Sequence, residues 1–202
     1  MQARDNKVNR KIYGVYIKSI LTMKIILPIR EVGKNIKENL EKIISKRNEG
    51  KCIAEGFIRP NSIKVVRYSS GNINGSNVEF ETVFECMICH PVEGMLIECD
   101  VKTITKAGIH AEVIDNDGTV PITTFIARDH HFNENSFSEI KENMKIIVRV
   151  IGVRYELNDP YICVIAKFIE KKGDRRMGGT NEIQSFNILD NYDDDHEYVE
   201  HD

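Results

Sequence analysis

The first half of the chain alternates between strand-like segments and one helix-like segment. Residues 12–29 are rich in Ile, Tyr, Val and Leu with partial alternation, which is typical of a strand that breaks near Pro28. Apolar residues then recur at helical spacing between Lys and Glu, at Val32, Ile36, Leu40, Ile43 and Ile44. This pattern predicts an amphipathic helix that ends before residues 48–50.

More strands follow this helix. They are predicted at residues 51–58, 62–68 and 78–90, and the last two are separated by a turn-forming stretch at 69–77 that contains Gly71 and Gly75. A strand, a helix and three strands predict a small α+β domain over residues 12–92.

After Pro91 and Gly94 the pattern contains short strands almost exclusively. They are predicted at residues 95–105, 108–114, 120–126, 145–153 and 161–169. Turn signals fall at residues 106–108, 115–118 and 158–160, and a one-turn helix fits residues 136–142. Five strands over residues 93–172 predict a closed Greek-key barrel of the oligonucleotide-binding (OB) type, so the overall fold class is α+β.

Composition and charge narrow the class of protein. The chain is 41% hydrophobic and 29% charged, which is typical of a globular protein. The chain has no apolar run of about 18 residues, so we expect an intracellular protein without a membrane partner. The ends differ in charge: residues 1–24 carry six basic and one acidic side chain, and residues 173–202 carry two basic and nine acidic ones. We expect residues 1–11 to be a flexible basic arm and residues 173–202 a disordered acidic tail.

Five cysteines raise the question of a cofactor. Cys86-Met87-Ile88-Cys89-His90 fits the C-x-x-C-H pattern of covalent haem attachment. In a strand, however, Cys86 and Cys89 point to opposite faces. No second ligand pair stands at zinc-site spacing. We therefore expect reduced core cysteines, no cofactor and no metal.

Carboxylates and histidines give no catalytic signature. Asp129-His130-His131 is expected to be a solvated loop. Acidic side chains near the strand ends suggest a carboxylate metal site for nucleotidyl transfer: Asp115, Asp117, Asp129 and Glu134. Their segments are predicted turns, however, and the chain has no glycine-rich loop that could bind a phosphate. We expect no catalytic residues and a protein that is not an enzyme by itself.

Three motifs in order resemble the DNA-directed RNA polymerase subunit 7 family, which includes the eukaryotic stalk subunits and their archaeal counterpart. The first motif is Glu49-Gly50-Lys51-Cys52 followed by Gly56-Phe57-Ile58. The second is Pro91-Val92-Glu93-Gly94, which leads into residues 101–109. The third is Ile151-Gly152-Val153-Arg154-Tyr155 with Asn158-Asp159. The resemblance extends over about residues 20–169. The basic arm, the acidic tail and the enrichment in Ile, Lys and Asn suggest a divergent lineage, such as a large DNA virus or a parasite.

The resemblance implies a truncated ribonucleoprotein-like first domain and an S1-type barrel. It implies docking on the polymerase body through a glycine-bearing tip, here Ser69, Ser70, Gly71, Asn72, Ile73, Asn74, Gly75 and Ser76. The implied partners are the largest polymerase subunits, a small core subunit, a subunit 4-like protein and nascent single-stranded RNA. Such a protein would act in the nucleus of a eukaryote, or in the virion or viral factory of a virus.

Basic side chains that can meet phosphates, with one tyrosine that can stack on bases, form the candidate RNA-binding set of the barrel: Lys102, Lys106, His110, Arg128, His130, Arg149, Arg154 and Tyr155. Ordinary surface charge is the alternative for each of them. The chain also departs from S1-type barrels, with Ile109-His110 where an aromatic is common and Thr123-Thr124-Phe125-Ile126 where a histidine is common. These departures predict weaker base stacking. Two rival functions stay open: a free-standing S1-type RNA-binding protein in translation or RNA decay, and an interaction protein without nucleic-acid contacts.

Overall fold

The computed structural model describes residues 14–131 and 135–172. The predicted arm at residues 1–11 and the predicted tail at residues 173–202 lie outside the described residues. No helix in the described parts of the chain is long and apolar enough to cross a membrane.

The first half of the chain forms one sheet with a helix. Its strands are β1 (Tyr16–Pro28), β2 (Cys52–Ile53), β3 (Gly56–Ile58), β4 (Lys64–Tyr68), β5 (Asn72–Asn74) and β6 (Asn77–Cys89), and its helix is α1 (Ile36–Asn48). The sheet order is β1-β6-β3-β2, with β4 and β5 also paired to β6. The long strand β6 therefore holds the sheet together: β1 pairs along its whole length on one side, and β5, β4 and β3 share the other side.

Helix α1 covers one face of this sheet. Its Leu40 and Ile44 are fully buried and join a core with Ile25, Leu27 and Phe84 of the sheet. This apolar stripe at helical spacing is the one that the sequence predicts.

Three element boundaries in this half differ from the sequence prediction. Val32 lies before the helix, because residues 29–31 form a separate 3-10 turn and Gly33 accepts the backbone hydrogen bond of Ile36. The single strand predicted at residues 51–58 is instead a hairpin of β2 and β3. At Gly56, with φ +133°, an added Cβ would meet the carbonyl oxygen of Cys89, so the backbone of this hairpin lies directly against β6. The predicted turn at residues 69–77 also contains a short strand, β5.

The second half forms a closed five-stranded barrel, as expected for an OB-like fold. Its strands are β7 (Leu96–Ile104), β8 (Gly108–Val113), β9 (Ile122–Ala127), β10 (Lys145–Arg154) and β11 (Ile162–Lys171), and a single-turn helix α2 spans Asn135–Ser138. The order around the barrel is β10-β11-β9-β8-β7, with β9 and β11 parallel and the other pairs antiparallel. Following the paired residues once around from Lys145 leads to Arg154 on the same strand, which is the stagger that a closed barrel requires.

Each half has its own hydrophobic core, and the first half also contributes three buried side chains to the core of the barrel. Cys52, Phe57 and Cys89 belong to the first sheet by hydrogen bonding, yet their side chains pack among those of the barrel. The backbone of Cys52 also donates to the carbonyl of Asp159 at 2.8 Å and accepts from the amide of Asn158 at 2.8 Å. Backbone hydrogen bonds and apolar packing thus both hold the first sheet against the barrel, at a contact that we call the junction.

An ion pair closes the junction on a second side. Arg59, just after β3, lies 2.8 Å from a carboxylate oxygen of Asp115 and 2.7 Å from one of Asp117, both in the β8–β9 loop. The Asp115 side chain is only 7% exposed. Its charge therefore depends on the guanidinium for compensation. Burial, followed by the nearby Asp115 carboxylate, raises the pKa of the neighbouring Tyr16 hydroxyl well above its ordinary value.

Replacing Arg59 should loosen this junction. We expect Arg59→Ala to lower the free energy of unfolding by about 2 kcal/mol, because it leaves the Asp115 carboxylate nearly buried and without a cation. Arg154→Ala is the matched control, since Arg154 faces the exposed Glu156 at 3.6 Å and such a pair contributes about 0–1 kcal/mol. Urea denaturation of both variants measures the difference, and equal stabilities would refute the role of Arg59.

Candidate nucleic-acid interface

A pair of neighbouring rings marks the outer face of the barrel. His110 on β8 lies directly opposite Phe125 on β9, and both side chains point away from the barrel core. Their ring centroids are 4.9 Å apart, with the planes tilted by 47°. His110 is exposed and Phe125 is half-buried. Each ring has a π face on which an unpaired base can stack.

Two lysines flank the ring pair. Lys102 on β7 lies at the bulge between Val101 and Thr103, and Thr103 pairs with His110. The ammonium group of Lys102 lies 3.7 Å from a carboxylate oxygen of Glu112, and an exposed ion pair of this kind holds a lysine only weakly. Lys106 is exposed in the turn between β7 and β8. Both ammonium groups are thus free to approach phosphates beside the rings.

Arg128 fixes that turn rather than extending freely into solvent. Its guanidinium donates to the carbonyls of Thr105 and Lys106 at 3.1 Å each, and it lies 5.8 Å from the ring centroid of Phe137. Arg128 therefore positions Lys106. The exposed His130 follows in the same 3-10 turn.

The remaining candidate RNA-binding residues lie elsewhere. Arg149 is exposed on β10, next to β11. Arg154 ends β10 and faces Glu156. The Tyr155 hydroxyl donates to the carbonyl of Ala54 at 3.1 Å, and its ring meets the edge of the His90 ring at 6.5 Å. Tyr155 thus contributes to the junction between the two halves, and burial raises its pKa.

Phe125 is absent from the RNA-binding set predicted from the sequence. From the sequence, the segment from Thr123 to Ile126 is only a departure from S1-type barrels that predicts weaker base stacking. In β9, Ile122, Thr124 and Ile126 are buried, so Phe125 must face outward. The period-two pattern could have revealed this, but the closeness of His110 depends on the register between β8 and β9.

The predicted docking tip is an ordered hairpin. β5 pairs with the start of β6, and the Ile73 side chain at this hairpin is 75% exposed. Gly71 adopts φ +86°, and an added Cβ would lie 2.7 Å from a Val78 methyl and 2.8 Å from the Phe80 ring. Only glycine fits there. This hairpin therefore presents the exposed apolar side chain of Ile73 on the short strand β5.

The structure holds no candidate metal centre within residues 14–131 and 135–172: no group of three or more His, Cys, Asp or Glu side chains is placed to hold an ion. Asp115 and Asp117 bind Arg59 instead. The prediction of a solvated loop is wrong for His131, which is buried, stacks on Phe137 with centroids 4.6 Å apart, and accepts a hydrogen bond from the Phe168 amide.

The haem-like motif is part of the structural core. Cys86 packs in the core of the first sheet and Cys89 in the core of the barrel, so the two thiols occupy separate cores. His90 is exposed and lies against Tyr155. Cys163 is exposed, which corrects the expectation that every cysteine is a core residue.

The comparisons with known proteins give a similarity over most of the chain. No family model matches the chain. The chain is 22% identical over 197 residues to a protein of Acanthamoeba polyphaga mimivirus that is provisionally named as a DNA-directed RNA polymerase subunit. The alignment covers 92% of this chain and 98% of the viral protein. The similarity therefore includes both the sheet with its helix and the barrel.

The thiols should differ sharply in reactivity. Burial raises the pKa of Cys52 and Cys86 to about 11 and that of Cys89 and Cys99 to about 12. At pH 8 these four remain protonated and inaccessible, so we expect a disulfide reagent to label Cys163 alone in the native protein. All five should react in denaturant. Rapid native labelling of Cys86 or Cys89, located by mass spectrometry, would contradict their burial in the two cores.

Proposed function

We propose that this protein is a non-catalytic stalk subunit of a DNA-directed RNA polymerase, which docks on the polymerase core and guides nascent RNA during transcription. The observation that carries the proposal is the end-to-end similarity to the mimivirus protein with a polymerase-subunit name. The motif order of the subunit 7 family supports the finer assignment. In this proposal residues 12–92 form the ribonucleoprotein-like docking domain and residues 93–172 the S1-type barrel.

The tip suits the docking role. An isolated exposed isoleucine on the short strand β5, which follows Gly71, is well placed to enter an apolar pocket of another protein. We propose that residues 69–76 contact the largest polymerase subunits and a small core subunit. A subunit 4-like protein is a further proposed partner, and it would contact both halves of the chain.

The barrel suits the RNA role. The ring pair of His110 and Phe125 offers stacking, and Lys102 and Lys106 offer charge for phosphates. None of these contacts reads a particular base, so the proposed binding is to single strands with little sequence preference. A viral protein with this role would act in the virion or the viral factory, and a cellular one in the nucleus.

A free-standing S1-type RNA-binding protein is the second candidate. The ring pair favours it equally, because RNA binding by the barrel does not need a polymerase. Affinity purification of the tagged chain from its source, with mass spectrometry, separates the two. Recovery of the two largest polymerase subunits supports the stalk role, and recovery of ribosomal or decay factors alone supports the free-standing one.

Changing the tip should weaken polymerase binding. We expect Ile73→Asp to reduce recovery of the polymerase about tenfold, because a charge replaces an apolar side chain whose burial contributes about 1.5–3 kcal/mol. Leu157→Asp is the matched control, since Leu157 is similarly exposed but lies in the β10–β11 loop. Thermal melting of both variants should match the parent protein. Full recovery with Ile73→Asp would remove the tip from the docking surface.

Removing the ring should weaken RNA binding without affecting docking. We expect Phe125→Ala to lower the affinity for a single-stranded oligouridine about tenfold at low salt, because base stacking contributes about 1–3 kcal/mol. Thr123→Ala, on the same strand and the same outer face, should change it little. Fluorescence anisotropy measures both. If the parent protein itself binds no oligouridine, the RNA role is excluded and the polymerase role is left to the purification experiment.

A further inference from the structure

Strand β1 is an edge strand of the first sheet. Within the described part of the chain it pairs only with β6, along all of its 13 residues and without a bulge. The backbone amide of Ile29, which follows β1, donates to the carbonyl of Ser76 on the β6 side. Because the direction of hydrogen bonding alternates along a strand, the even-numbered residues from Lys18 to Ile26 direct their N–H and C=O groups away from β6. A regular edge of this kind is a template for a further strand.

The exposed apolar residues of this edge are arranged symmetrically. Ile20 and Ile26 lie three positions before and after Met23, and Ile17 and Ile29 lie six positions before and after it. All four isoleucines are more than half exposed. An antiparallel second copy of β1, centred on Met23, therefore places Ile20 opposite Ile26 of the other copy and Ile17 opposite Ile29 of the other copy.

The charges of β1 permit this register. Lys18 lies opposite Pro28 of the second copy and Lys24 lies opposite Thr22, so no two like charges meet. Lysines on an edge strand commonly oppose further pairing. Here both lysines already form ion pairs with glutamates of β6, at 2.9 Å and 3.1 Å. Pro28 has no N–H to donate and therefore marks the end of the possible ladder.

The two faces of the strand match in the same register. Residues 21, 23, 25 and 27 lie on the side that α1 covers, and residues 20, 22, 24 and 26 lie on the uncovered side. Each residue lies opposite one on the same face, because the sum of the two residue numbers is even. Ile20 and Ile26 of both copies therefore form one apolar cluster on the uncovered face.

This symmetry favours a second copy over a strand of another protein. In a two-fold interface, each contact from residue i to residue j is repeated from j to i. The matched positions of the isoleucines, and of the lysines with Pro28 and Thr22, meet that requirement along the whole strand. Pairing with an unrelated strand does not require any symmetry within β1.

We propose that β1 pairs antiparallel with β1 of a second copy, about a two-fold axis at Met23. This pairing joins two six-stranded sheets into one and removes the exposed isoleucines from water. The tip of each copy, next to Pro28, then lies near the junction of the other copy, next to Tyr16. The inference does not depend on the proposed polymerase role.

Sedimentation velocity of the full chain tests the dimer. We expect the parent chain to dimerise at about 10 μM. Ile20→Lys should raise the dissociation constant about tenfold, because it places a charge opposite the apolar Ile26 of the other copy. Ile165→Lys is the matched control, since Ile165 is a similarly exposed strand residue but lies on the barrel, and it should leave the dissociation constant unchanged.

A mixture of two variants keeps the test independent of folding defects. Ile26→Glu should weaken the dimer as Ile20→Lys does. An equal mixture of the two variants should restore it, because the mixed dimer contains one Lys–Glu pair and one Ile–Ile pair.

A thiol at the two-fold axis tests the register. Directly opposed residues in a non-hydrogen-bonded pair have Cα atoms about 4.5 Å apart, which is within the range of a disulfide. In a Cys163→Ser background, which removes the exposed native thiol, Met23→Cys should give a covalent dimer on mild oxidation. Thr22→Cys in the same background should not, because position 22 lies opposite position 24. A non-reducing gel measures both.

Three results would overturn the proposal. A parent chain that sediments as a monomer up to about 100 μM leaves the edge to a strand of another protein. A dimer that persists unchanged in Ile20→Lys, or that the mixture fails to restore, uses another surface. Equal crosslinking through positions 22 and 23 excludes the register centred on Met23.

Discussion

Phe57 and Cys89 take part in two structures at the same time. Their backbones pair in the sheet of the first half, and their side chains complete the core of the barrel. A fully buried Phe contributes about 1.5–3 kcal/mol. Neither half can therefore move away without exposing part of the core of the barrel. The backbone hydrogen bonds of Cys52 and the ion pair of Arg59 with Asp115 also join the two halves, and they stabilise the same arrangement.

This fixed junction relates the tip to the barrel face. β6 begins beside the tip and ends at the junction, and its 13 residues span about 40 Å at the usual rise per residue of a strand. The exposed Ile73 and the ring pair of His110 and Phe125 are thus held apart by a rigid element. A protein built in this way can anchor at one end and present a binding surface at a set distance from the anchor.

The outer surface of the barrel changes in chemistry from strand to strand. Rings and lysines lie around β7, β8 and β9, where flat side chains and charges suit single-stranded RNA. The exposed aliphatic side chains of Ile151 and Ile165 on β10 and β11 border the ring pair, because Ile165 pairs directly with Phe125.

The sequence by itself determined the periodic features. The apolar stripe of Leu40 and Ile44 predicted α1, and alternation with turn signals predicted all five barrel strands, because burial imposes fixed periods on helices and strands. Tertiary structure alone decided which residues meet. It brought Phe125 beside His110, directed Tyr155 to the junction and buried His131. It also placed Arg149 opposite Lys167 in the register of β10 and β11. These contacts join residues up to 101 positions apart, and they depend on strand register and barrel closure, which local patterns do not encode.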